Sequence, residues 1–275
     1  MITFSDVDLS ALRVLLCDAD GNLFPSEEPA FVASVEVTNA FLAAYGVPGT
    51  LSAEQLRLGT TGKNFRTTAV DLCVSSGVPV EAAVAGGRPG ALVAAGPTLD
   101  GRPVLTAAAL EHWVAEEKAR VSAHLGDVLR PDPEVRDVLG KLAPHFTLAA
   151  VSSSACSRLE ACFVATGLPG LIPVELRYSA EDSLPVPTSK PDPAIYLHAG
   201  RELGCRGAEG LAVEDSVPGA RSAVAAGFPT VGNVMFVPEA ERAGRIEALR
   251  GAGVFAVVTS WRELADLLLP AAGAP

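Results

Sequence analysis

Residues 13–24 read RVLLCDADGNLF. The run 13–17 is short, mostly apolar and followed at once by polar residues, which predicts a strand buried on both faces of a parallel sheet. It ends in two carboxylates, Asp18 and Asp20, and then Gly21 and Asn22. Residues i and i+2 of a strand face the same side, so the two acids point together. In open α/β sheets, ligands lie beyond the carboxyl ends of the strands. One carboxylate placed there can attack phosphorus and hold a metal while the other transfers a proton. The same residues also read as a solvated Asp-x-Asp-Gly turn with no chemistry, and the stretch taken alone leaves both readings open.

Working outward, similar apolar runs recur at 146–151 (FTLAAV), 211–213 (LAV), 229–234 (PTVGNV) and 254–258 (VFAVV). Helix punctuation separates them. One helix begins at Pro193 and stops at Gly204, another begins at Pro218 and stops at Gly227, and a third covers 155–165. Ser260 with Glu263 predicts a capping box for a last helix over 261–269. Strands alternating with helices predict an α/β chain: a Rossmann-like parallel sheet core with helices on both faces. Residues 26–128 break the alternation. There the pattern gives helices over 29–45, from Ser52 with its partner Gln55, over 62–76 and over 104–125, with a Gly/Ala/Pro-rich loop at 84–101 and no convincing parallel strand. The expected organisation is a core of 1–25 with 129–275 and an inserted α-helical cap domain at 26–128.

Composition limits the function. The chain has 275 residues, 49% hydrophobic and 19% charged, which is globular and long enough to bury roughly three quarters of its unfolded surface. A net charge of −11 opposes nucleic acid and anionic membranes, and it opposes an anionic small substrate unless a metal or a local cation offsets the field. The five cysteines form no Cys-x-x-Cys pair and read as buried free thiols in a reducing compartment. No signal peptide and no long apolar span are visible, so a cytoplasmic protein is expected.

Three further stretches carry possible chemistry. Ser152, Ser153 and Ser154 follow the strand at 146–151 and suit a phosphate cradle, or a serine cap for the next helix. Lys190, in SKPDPAIY, can neutralise a phosphate or a nucleophilic carboxylate, or can be a surface lysine beside a helix start. Glu214 and Asp215 end the strand at 211–213 and suit a hard cation such as Mg²⁺, or the acidic cap of the following helix. The bland alternatives would all have to hold together. An acidic protein that handles phosphate also needs a divalent cation and a lysine, and the four stretches supply both.

Taken in this order, DADGNLF, Ser152, KPDP and EDSVPGARSAVAAG resemble the haloacid dehalogenase superfamily, in the branch of β-phosphoglucomutase and phosphoglycolate phosphatase. The resemblance implies an Mg²⁺-dependent phosphatase of a small phosphorylated metabolite. It implies Asp18 as nucleophile and metal ligand, and Asp20 as general acid/base with its carbonyl on the metal. Ser152 and the Ser153 amide would bind the phosphoryl group together with Gly21 and Asn22. Lys190 would stabilise Asp18, Asp215 would bind the metal, and Glu214 would be a second ligand or the partner of Lys190. The cap would close over the site, with Lys63 and Arg66 as candidate substrate contacts or solvated helix-face charges. Dehalogenases of this superfamily lack an acid at the position of Asp20, because a halide leaves without a proton whereas an alkoxide needs one. The chain departs from the family pattern at Asn22, at Pro25 and Ser26, and in the extra prolines before Lys190. A phosphomutase and an inactive phosphate-binding scaffold stay open as alternatives. A monomer or weak homodimer is expected.

Overall fold

The computed structural model describes residues 1–60 and 64–269. It divides into two compact units, Met1–Glu27 with Gly126–Pro275, and Glu28–Leu125.

The first unit is built on a seven-stranded sheet. Its order is Ile2–Thr3, Ala256–Val258, Thr230–Asn233, Gly210–Glu214, Val14–Cys17, Thr147–Ser152 and Arg177–Ser179. All neighbours are parallel except the short edge strand Ile2–Thr3, which runs antiparallel to Ala256–Val258. Val14–Cys17 is buried at every position because it has a strand on each side and apolar clusters on its faces. One cluster joins Val14, Leu16, Ala149, Val151, Ile195 and Tyr196. The register sets Cys17 opposite both Ala150 and Val213, so three strands end at one level. Chain order reverses direction on either side of Val14–Cys17, which is where α/β sheets open a crevice.

The helices of this unit follow the punctuation closely: Cys156–Thr166, Ala194–Glu202, Val217–Ala225 and Trp261–Leu268. The last capping box is only half formed. Ser260 Oγ accepts from the Glu263 amide at 3.2 Å, but the Glu263 carboxylate takes the Thr259 amide at 2.7 Å instead of returning to Ser260. Ile2–Thr3 and the helix Pro133–Leu142 escaped the sequence reading, and so did two further elements. Arg177–Ser179 is too short to show a period, and Glu239–Gly251 is too polar to stand out from a loop.

The second unit holds the helices Ala53–Thr60 and Phe65–Ser75 and most of Glu27–Ala44 and Ala107–Val128. Its core gathers Phe41, Val70, Cys73, Val80, Leu105 and Leu110. Phe41 meets the Phe65 ring at 6.2 Å and the Trp113 ring at 5.7 Å, both edge-on. The Ser52–Gln55 box is complete, with reciprocal bonds of 2.9 and 3.1 Å. The expectation of helices without strands needs correction here. Val80–Glu81 pairs in parallel with Val93–Ala94, and Thr98–Leu99 pairs antiparallel with Arg102–Pro103. Two-residue strands carry no alternation that a sequence can display, so the segment 84–101 reads as loop. No helix among the described residues is long and apolar enough to cross a membrane. Four of the five cysteines are buried and Cys156 is exposed.

Candidate active site

Asp18 follows Val14–Cys17 directly, and its amide still pairs with the Val213 carbonyl at 2.9 Å. The backbone is thereby held in sheet geometry while the side chain emerges at the strand end. Lys190 arrives from the loop before Ala194–Glu202, and the peptide that follows it is cis. Its ammonium donates to Asp18 Oδ1 at 2.5 Å, to Glu214 Oε1 at 2.5 Å and to the Val151 carbonyl at 2.8 Å. All three donors of the lysine are therefore used. The Ser153 hydroxyl anchors the same residue by accepting the Lys190 amide at 3.1 Å. Tyr196, in the first turn of Ala194–Glu202, donates to Glu214 Oε1 at 2.6 Å.

Asp18, Glu214 and Asp215 are all buried, and each offers an oxygen within 4.8 Å of the others. Two glycines make room for them. A Cβ on Gly219 would fall 1.8 Å from Glu214 Oε2, and one on Gly21, whose φ is +81°, would fall 2.4 Å from Asp215 Oδ2. Neither the acidic cap nor the serine cap expected as alternatives is formed. Ser216 caps Val217–Ala225 through a 3.1 Å bond from the Gly219 amide, and Ala155 precedes Cys156–Thr166, whose first amide donates to the distant Asp182 carboxylate at 2.6 Å.

Burial pushes the Asp18 carboxyl well above its ordinary range; Lys190 pulls it back, and Glu214 and Asp215 add to the rise. Burial also raises Asp215, to about 8, helped by the Glu214 charge and opposed by Arg245. For Lys190, burial is outweighed by Asp18 and Glu214, which hold the ammonium well above its usual range. Three buried carboxylates against one lysine leave an excess of negative charge, and burying unpaired charge is costly. Glu214 Oε2 has no hydrogen-bond partner. An all-oxygen donor set with an orphaned carboxylate oxygen fits a hard divalent cation such as Mg²⁺.

Asp20 has a different environment. Ser26 Oγ at 2.6 Å and Arg158 Nη2 at 3.0 Å donate to its Oδ1. Ser154 Oγ at 2.7 Å and Ser152 Oγ at 3.4 Å donate to its Oδ2. Burial raises this carboxyl, but the Arg158 charge and the bonds from Ser26 and Ser154 prevail and hold it below the usual range. The two aspartates thus share a strand end and are driven in opposite directions.

Two expected phosphate contacts, Asn22 and Gly21, have protein partners. The wholly buried Asn22 donates to the Asp18 carbonyl at 2.9 Å and the Val213 carbonyl at 3.2 Å, and accepts from Asn233 at 2.9 Å. Its amide is fully occupied in holding the strand end together. The Gly21 amide donates to the Phe24 carbonyl at 2.9 Å, and the residue provides space for Asp215. In the second unit Arg66 forms an ion pair with Glu111, and Lys63 lies outside the described residues. The sequence reading missed Arg158, Tyr196, Asn233, Trp261 and Arg245. Trp261 Nε1 donates to the Asn22 carbonyl at 3.1 Å, and Arg245 donates to the Asp215 carbonyl at 2.8 Å. Only Tyr196 had a visible signal, its place in SKPDPAIY.

A model of haloacid dehalogenase-like hydrolases matches residues 12–227. The chain belongs to this family. As a haloacid dehalogenase-like hydrolase it is an enzyme, and Asn233, Arg245 and Trp261 lie beyond the matched residues. No curated protein matches it in sequence. Solved structures share its fold. CbbY from Rhodobacter sphaeroides, a mutant in complex with xylulose-(1,5)bisphosphate, is 21% identical with a TM-score of 0.62, covering 92% of this chain and 96% of that one. A HAD family hydrolase from Deinococcus radiodurans R1 with bound phosphate and sodium is 22% identical with a TM-score of 0.59, covering 94% and 96%. A predicted phosphoglycolate phosphatase from Haemophilus somnus 129pt is 17% identical with a TM-score of 0.65, covering 95% and 100%.

Proposed function

We propose that this hydrolase is an Mg²⁺-dependent phosphatase of a small phosphomonoester that works through an aspartyl-phosphate on Asp18. The observation that carries the reading is the contrast between Asp18, set against Lys190 among the acids, and Asp20, set apart among Arg158 and serines. Paired carboxylates in different environments take different roles in catalysis.

In the first step an Asp18 carboxylate oxygen bonds to phosphorus as the bond from phosphorus to the ester oxygen breaks. The negative phosphate bound beside Asp20 opposes the pull of Arg158 and favours a proton on this carboxyl, which gives it to that oxygen as the alcohol leaves. In the second step Asp20, now a carboxylate, takes a proton from water while the water oxygen bonds to phosphorus and the Asp18–phosphorus bond breaks. Phosphate is released and both aspartates are restored. Lys190 neutralises charge on the attacked phosphoryl group, and the Ser152 hydroxyl and Ser153 amide hold it. Mg²⁺ held by Asp18, Asp215, Glu214 and the Asp20 carbonyl would supply the remaining positive charge.

The test is turnover of an aryl phosphate by purified protein with Mg²⁺. EDTA and Asp18→Asn should each abolish it, and turnover surviving either one overturns the reading. A panel of phosphorylated metabolites then identifies the substrate. The likeness to two proteins provisionally named β-phosphoglucomutase, from Thermotoga maritima and Bacteroides vulgatus, favours a second reading, in which a sugar hydroxyl replaces water. An aspartyl-phosphate that persists for minutes in water would favour that mutase.

A further inference from the structure

The phosphatase reading, on which this inference rests, requires Asp20 to deliver a proton, and Asp20 is the site residue with the most donors directed at it. Four donors reach its two oxygens: Ser26 and Arg158 on Oδ1, Ser154 and Ser152 on Oδ2. Three are neutral hydroxyls. Arg158 alone is charged, and a charge-assisted bond is roughly twice as strong as a neutral one.

Arg158 lies in the first turn of Cys156–Thr166, which starts just after the strand Thr147–Ser152. One turn of chain therefore delivers Ser152, Ser154 and Arg158 to the same carboxylate. Asp18 takes its cation from Lys190 instead. The two carboxylates are served by two separate cations, Arg158 in a helix and Lys190 on a loop.

We propose that Arg158 is the positioning residue for Asp20, fixing its carboxylate beside Ser152 for proton transfer to the leaving oxygen. Proton transfer depends steeply on geometry, and a misplacement of about 1 Å can cost about 10²-fold in rate. The placement of the acid hardly matters for a leaving group that departs as a stable anion. Arg158 should therefore matter for alkyl phosphates and hardly at all for activated aryl phosphates. A residue that gripped the phosphoryl group would matter equally for both.

The experiment compares kcat/KM, which reports the steps up to alcohol release, for 4-nitrophenyl phosphate and for an alkyl phosphate turned over by the wild type. Arg158→Met should lower the alkyl value by about 30-fold or more and the aryl value by about 3-fold or less. Arg158→Lys should recover part of the alkyl loss, because it restores the charge without the planar fork. Ser26→Ala removes the other donor to Oδ1 and should show the same preference, which covers the case of a misfolded Arg158→Met. Equal losses on both substrates, no loss on either, or Lys no better than Met overturns the role of Arg158 while leaving the phosphatase standing. A wild type without EDTA-sensitive turnover removes both.

Discussion

Glu214 Oε2 and Gly219 occupy one space: a Cβ on the glycine would lie 1.8 Å from the carboxylate oxygen. The helix Val217–Ala225 can pass the strand end so closely only because position 219 has no side chain. Helix propensity alone would make Gly219→Ala stabilising by about 1 kcal/mol. Collision with a wholly buried carboxylate reverses the sign. We expect a net loss of about 1–3 kcal/mol in urea denaturation. Displacing a carboxylate from the acidic trio should also weaken Mg²⁺ by about 10–100-fold in a calorimetric titration. Unchanged Mg²⁺ affinity would place Glu214 outside the metal site.

Lys190 is the sole cation hydrogen-bonded to both Asp18 and Glu214 among the described residues. Lys190→Met leaves two buried carboxylates without their partner. It should cost about 3–5 kcal/mol of stability in metal-free protein. Turnover should fall by about 10²–10³-fold with Mg²⁺ saturating, because phosphoryl charge goes unneutralised. Lys190→Arg should not rescue it, since a planar fork cannot replace three tetrahedral donors.

The acidic trio predicts an unusual pH dependence. Asp215 has a folded value of about 8 against an ordinary 3.8. A carboxyl raised on folding favours the folded state while both states are protonated. That contribution declines as pH climbs past 3.8, and it is fully lost once pH passes about 8. Asp18 is shifted in the same direction. Mg²⁺ competes with these protons, so it should stabilise little at pH 5 and increasingly towards pH 8. Thermal melts with and without Mg²⁺ should diverge as pH rises; a constant difference would contradict the assignment. Asp20, which is held low, acts with the opposite sign, and its contribution is lost in acid.

Asn22 is expected to be structural. Asn22→Ala leaves the Asp18 carbonyl and the Asn233 amide without this partner in a buried place, and takes from the Val213 carbonyl one of its two donors. The loss should be about 2–4 kcal/mol in chemical denaturation. KM per folded molecule should change by less than about 3-fold, because the side chain does not face substrate. A large KM effect with unaltered stability would restore Asn22 to the phosphate site.

Much of the core was legible because its signals are local. A strand buried on both faces must be a short apolar run, and the residues that end it must be polar if they face a crevice. Asp18, Ser152, Glu214 and Asp215 all stand at such ends, and the helices after them announce themselves by proline, glycine and serine. The two-residue strands at Val80–Glu81 and Val93–Ala94 have no period to display, and Glu239–Gly251 has few buried residues to mark its face.

The amino-acid sequence by itself determined the alternation of strands and helices, the strand-end placement of the acids and the need for a cation beside them. Those properties follow from patterns a few residues long and from net charge. Tertiary structure alone decided which residue each polar group meets. Arg158 reaches Asp20 across 138 positions, Asn233 reaches Asn22 across 211, and Trp261 reaches Asn22 across 239. No local pattern encodes such pairs, because they exist only where the sheet register brings distant strand ends to one level. The same tertiary structure sets the Asn22 amide against the Asp18 carbonyl and Gly21 against the Asp215 carboxylate.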